Sequence, residues 1–170
     1  MPDLARWPYG TVYEFNGIIP TIDPTAFIAP TAAVIGNVVI GAETGVWFHC
    51  LVRGDMGIIR IGARTNIQDG TVIHIDSGGM DTHIDDDVTV GHNAVIHACT
   101  LKNRAFIGIS ATVLDGAVIE EGGMLGAGGL LTPGKVIGPN ELWTGAPAKL
   151  RRVMDEDERK RFGAQRHGLP

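Results

Sequence analysis

Charge, cysteine, aromatic rings and long apolar runs are all scarce in this chain of 170 residues. Only 19% of its residues are charged against 44% hydrophobic, which excludes a disordered polyelectrolyte and argues against a long-helix protein. The balance is acidic, net -5, so there is no overall basic footprint for nucleic acid or for an anionic membrane. Two cysteines, Cys50 and Cys99, are too few for a disulfide framework and suit a reducing compartment. No stretch reaches the roughly 18 apolar residues of a membrane-spanning helix. The opening residues, Met1–Gly10, lack the apolar core of a secretion signal. A soluble, cytoplasmic, single-domain protein is therefore expected, with neither nucleic acid nor membrane as partner.

Glycine is plentiful instead, at 24 residues, roughly twice its average share. Its use follows a period. Stepping by six from Ile22 meets Ile28, Val34, Ile40, Val46, Val52 and Ile58. New phases then run Ile61, Ile67, Ile73, next Ile84, Val90, Ile96, and finally Leu101, Ile107, Val113, Ile119, Leu125, Leu131, Ile137. Every position holds Ile, Leu or Val, types that fill only 42 of the 170 sites. Each hexad pairs that aliphatic residue with small or turn-forming ones, as in Ile40-Gly41-Ala42-Glu43-Thr44-Gly45. A short strand pointing one aliphatic side chain inward, followed by a tight corner, reads this way. Period six fits neither a helix nor simple strand alternation. It fits an all-β solenoid whose coils are triangles of three hexads, about 18 residues each.

This grammar resembles the hexapeptide-repeat superfamily. The resemblance implies a left-handed parallel β-helix of about seven triangular coils, although general crossover rules favour a right-handed turn. Residues 1–20, with Trp7, Tyr9, Tyr13 and Phe15, read as a lead-in that caps the first coil, since an open solenoid end exposes strand edges. The coils should span 21–149, interrupted by a protruding loop at 76–83. A charged, glycine-poor C-terminal α-helix is expected over 150–167.

The histidines take defined places in the hexads. His74 follows inward Ile73 and His97 follows inward Ile96, an offset of one coil plus about five looped-out residues. His97 should therefore sit above His74 at the strand spacing of about 4.8 Å, close enough for both to meet one metal ion. His92 lies two places after Val90, on another face, where only a second subunit can bring it to the same ion. Faces about 120° apart suit a threefold axis, so the expected assembly is a homotrimer with shared sites. Three histidines plus solvent make an open zinc site of the catalytic kind. Arg53 falls in the row beneath His74 and His97, while Gln68 and Asp69 share the row of Gly91 and His92. His49 and His167 read as surface residues, His83 as structural, and both cysteines as packing residues.

The segments Arg53-Gly54-Asp55, Asn66-Ile67-Gln68-Asp69, Val72-Ile73-His74 and Gly91-His92-Asn93-Ala94-Val95-Ile96-His97 resemble the γ-class carbonic anhydrases. The resemblance implies that His74, His92 and His97 hold Zn2+, or Fe2+ or Co2+, across a trimer interface. It implies that Gln68 contacts metal-bound solvent or substrate, that Arg53 and Asp55 pair between subunits, and that the substrates are CO2 and bicarbonate. Two departures bear on proton transfer. Met56 stands where the family prototype has glutamate, and the 76–83 loop is short and lacks glutamate, leaving Asp76, Asp81 or His83 as substitutes. The competing expectations are thioesterase-like hydrolysis or a silent metal-binding subunit on the same fold, and a coenzyme-A-dependent hexapeptide acyltransferase. The last needs one histidine base and not three converging ones.

Overall fold

The computed structural model describes residues 11–158 and 160. Short parallel strands stack into a left-handed β-solenoid of about seven coils, and three rows of aliphatic residues fill its interior. On the first face Val34, Val52, Ile73, Ile96, Val113 and Leu131 lie in register, coil upon coil. On the second, Ile22 is followed by Ile40, Ile61, Ile84, Leu101, Ile119 and Ile137. On the third, Ile28 leads to Val46, Ile67, Val90, Ile107 and Leu125. All of these except Ile22 are buried, and they form one continuous core. Such a core arises because a coil cannot bury its own aliphatic row alone and must be covered by the coils on either side.

Two long strands depart from the short-rung pattern and shape the site. Ala33–Ile40 and Leu51–Ile61 each pass through the first and second faces, and their pairing shifts register between Gly36 and Val38. Ile59 and Ile61 take the inward places while Ile58 is half-buried, so the hexad phase read through Ile58 slips here. The extra residues, Asp55 to Ile58, bulge outward beside the first face. Glycine is required at this crossing. A Cβ on Gly54 would lie 2.7 Å from the Asn37 carbonyl oxygen, and one on Gly36, where φ is +74°, would lie 2.5 Å from that of Gly54.

The C-terminal end and the loop differ from the sequence expectation, while the lead-in lies along the first coil. Thr11–Tyr13 pairs parallel with Ala33–Ile35, while Tyr13 and Phe15 stay exposed; Trp7 and Tyr9 lie outside the described residues. The loop ends at Asp81, because Thr82–Ile84 is already a strand of the second face. The helix expected over 150–167 is corrected at its start. Lys149–Val153 is a strand that folds back antiparallel on Glu141–Thr144, and helical turns begin only at Glu156. That pairing closes the last coil's open edge, a need that outweighs the segment's helix-forming composition. Residues 161–167, with His167, lie outside the described part.

Candidate metal centre

Strand register places the two stacked histidines. Val95, Ile96 and His97 align with Val72, Ile73 and His74, so the imidazoles project from adjacent rungs of the first face. Their ring centroids are 5.3 Å apart, and His74 Nδ1 faces His97 Nε2 at 3.3 Å. Each ring's other nitrogen meets a carboxylate. His74 Nε2 donates to Asp55 Oδ1 at 2.9 Å, and His97 Nδ1 donates to Asp115 Oδ1. An ionised carboxylate can only accept, so each of these ring nitrogens carries its proton and the facing nitrogens are left as lone pairs. A cation between them relieves that repulsion. Two nitrogens on a tetrahedral zinc, at about 2.0–2.1 Å each, stand about 3.3–3.4 Å apart, and this pair matches.

The groups form a column of four along the solenoid axis: Asp55, His74, His97, Asp115. The outward bulge delivers Asp55, whose neighbour Arg53 forms an ion pair with it inside the same chain. Burial alone would raise the Asp55 carboxyl, but the His74 hydrogen bond, helped by Arg53, outweighs it and holds the group below the usual carboxylate range. Two carboxylates and one guanidinium leave this column net negative before any cation arrives.

His92 stands elsewhere. It occupies the corner between the third and first faces, next to Asn93, whose φ is 57°. Its Nδ1 meets Asp69 Oδ2 at 3.0 Å, which leaves Nε2 pointing away, and its side chain is 44% exposed. Gln68 lies on this side too, not beside His74. With His92, Thr89, Phe106, Ile109 and Met124 it lines a groove of about 370 Å³. Thr89 Oγ1 is buried there and has no hydrogen-bond partner among the described residues. The chain thus brings together Arg53, Asp55, His74 and His97 at one end of the first face, and Gln68 with His92 at the other. Among the described residues no three metal-ligating side chains converge within one chain.

Two of the suggested proton carriers accept backbone hydrogen bonds, and the third lies on another face. Asp76 Oδ2 accepts from Gly78 N at 2.9 Å, and Asp81 Oδ1 accepts from Ile58 N at 2.7 Å, where it pins the bulge. His83 projects from the second face, in register with Arg60 and Thr100. Met56 and Met80 are both exposed near the site's rim. Burial pushes the Cys99 thiol up to about 12 and Cys50 to about 11, so neither is a nucleophile. Asp115 was missed from sequence, yet it lies 18 residues after His97, one coil on. The strand register there, Ile96 against Val113, advances by 17 residues, so counting coils does not set Asp115 opposite His97.

No family model matches the chain. Among curated proteins it is 47% identical over 147 residues to a carbonic anhydrase of Geobacillus kaustophilus, with 86% of this chain and 80% of that protein covered. The chain belongs to the γ-class carbonic anhydrase family. It is 44% identical over 144 residues to the mitochondrial γ carbonic anhydrase 2 of Arabidopsis thaliana, covering 82% of this chain but 52% of that one. It thus spans about half the length of that plant relative. A solved structure, a hexapeptide transferase family protein from Anaplasma phagocytophilum, superposes with a TM-score of 0.88 at 46% identity, covering 92% of each chain. The coils of a γ-class chain are therefore the frame on which the histidine column stands.

Proposed function

We propose that this γ-class chain is a metal-dependent carbonic anhydrase acting as a homotrimer, with zinc, or iron or cobalt in its place, bound between subunits. His74 and His97 hold the ion with the partner subunit's His92. The observation that carries this reading is the facing pair, His74 Nδ1 and His97 Nε2 at 3.3 Å, each ring anchored by a carboxylate. Its two nitrogens leave tetrahedral positions for a third ligand and for solvent. Asp69 holds His92 at the opposite end of the first face, and a threefold ring would carry it to that third position.

A bound metal supplies hydroxide near neutral pH by lowering the pKa of water from 15.7 to about 7. The rest falls to the chain. Asp55 and Asp115 fix the tautomer and tilt of the two imidazoles, as carboxylates behind metal-binding histidines do. Arg53 offsets the Asp55 charge. The Gln68 amide, beside His92 in the groove, orients solvent or bicarbonate by hydrogen bonds. A proton leaves in each turnover, and the nearby carboxylates are engaged: Asp55 with His74, Asp69 with His92, Asp115 with His97, Asp76 and Asp81 with backbone N–H groups. Dissolved buffer is then the proton carrier. We place the protein in the cytoplasm, since both cysteines are free and buried.

The test is metal content of anaerobically purified protein, followed by stopped-flow CO2 hydration on the same sample. One ion per chain with metal-dependent hydration is expected. A loaded site without hydration points instead to thioesterase-like hydrolysis or a silent metal-binding subunit. A metal-free chain that transfers acyl groups from coenzyme A points to a hexapeptide acyltransferase.

A further inference from the structure

His97 can present either ring nitrogen to its neighbour, because its side-chain torsion admits both orientations. Only one leaves a lone pair facing His74. Asp115 decides between them. Its carboxylate accepts from His97 Nδ1, which commits the proton to that nitrogen and leaves Nε2 free, 3.3 Å from His74 Nδ1. Asp55 does the converse from the coil on the other side, taking His74 Nε2 and freeing Nδ1. The two imidazoles therefore present unlike nitrogens to one point, because their carboxylates come from opposite directions along the solenoid axis.

We infer that Asp115 is a positioning residue for the metal centre, acting through His97; this rests on the metal reading above. Its side chain has no other hydrogen-bond or ion-pair partner among those described, and it is 36% exposed. A purely architectural carboxylate would instead cap backbone N–H groups, as Asp81 and Asp86 do. The corner itself is held through the backbone, where the Asp115 carbonyl accepts from Gly134 N at 2.9 Å. The carboxylate can thus be altered without dismantling the coil. Its negative charge also raises the basicity of His97 Nε2 as a ligand, an effect a neutral amide cannot reproduce.

The experiment uses the full chain and its Asp115→Asn, Asp115→Ala and Asp115→Glu variants, with zinc as the probe, competed against a chromogenic chelator. Visible spectra of the cobalt-loaded proteins and thermal unfolding are recorded alongside. Both Asn and Ala should weaken zinc binding by about 10- to 100-fold while leaving the metal-free unfolding temperature in place. The Ala variant should also change the cobalt spectrum, since its ring is free to turn. Glu, which keeps the charge, should recover part of the affinity. Wild-type zinc affinity in both Asn and Ala variants overturns the role of Asp115 alone. A wild-type chain that binds no zinc overturns the metal reading, and this inference falls with it.

Discussion

Replacing His92 by alanine separates a shared metal centre from one contained in a single chain. The fold has little stake in this side chain. It sits at an exposed corner, 44% open, and its recorded partner is Asp69, itself 44% exposed. The corner is maintained by backbone contacts, among them Ser110 N donating to the His92 carbonyl at 2.8 Å. A surface substitution of this kind costs within about 0.5 kcal/mol. For the metal the loss is far larger. Four protein ligands in a structural zinc site supply about 10–16 kcal/mol, or about 2.5–4 kcal/mol each. Loss of one ligand therefore weakens binding by about 10²- to 10³-fold. Zinc titration by chelator competition, circular dichroism and sedimentation velocity on one preparation read all three consequences. The expected outcome is a folded, zinc-poor protein with a weakened trimer. A folded His92→Ala protein that is monomeric and still holds one zinc per chain refutes the reasoning.

Three further outcomes follow from the same geometry. With nearby carboxylates engaged and Met56 and Met80 at the rim, added imidazole should accelerate hydration in dilute buffer. A rate indifferent to imidazole contradicts that account. The Cys50 and Cys99 thiols are raised by burial to about 11 and about 12 from an ordinary 9.0, so the unfolded chain ionises first as pH rises. Stability should then fall above about pH 9 by about 1.4 kcal/mol per unit per thiol, as measured by urea unfolding, and a Cys50→Ala/Cys99→Ala protein should lose that slope. Gly54→Ala puts a Cβ 2.7 Å from the Asn37 oxygen, which should cost about 1–3 kcal/mol and displace Arg53 and Asp55 together. Unchanged stability in that variant would show that the two long strands tolerate a wider crossing.

The solenoid was legible because its inward rows carry Ile, Leu or Val with almost no exception, and a row advances only when a coil is complete. His74 and His97 could be stacked by counting for the same reason. The count failed where the chain leaves the ladder. Ile58 continues the arithmetic but sits on the outward bulge, and Ile59 and Ile61 fill the core, because Gly36 and Gly54 let two long strands pass at close range. The C-terminal segment was misread for another reason. Its charges signal helix, but Lys149–Val153 has a strand edge to cover, and pairing overrides local preference. The Asp115 carboxylate was the largest omission. Asp115 joins the site from the neighbouring coil, and hexad position does not reveal which outward side chains meet across a corner.

The central claim is that one metal centre draws ligands from two subunits, and mixed assemblies test it most directly. His92→Ala and His97→Ala chains, each inactive alone, would be unfolded, mixed in equal amounts and refolded together. In a cyclic trimer with random mixing, about one quarter of the interfaces join an intact His74–His97 pair to an intact His92. Recovery of about a quarter of wild-type zinc content and CO2 hydration is the predicted result. Refolded mixtures that reach the trimeric state yet recover neither zinc nor hydration would contradict it.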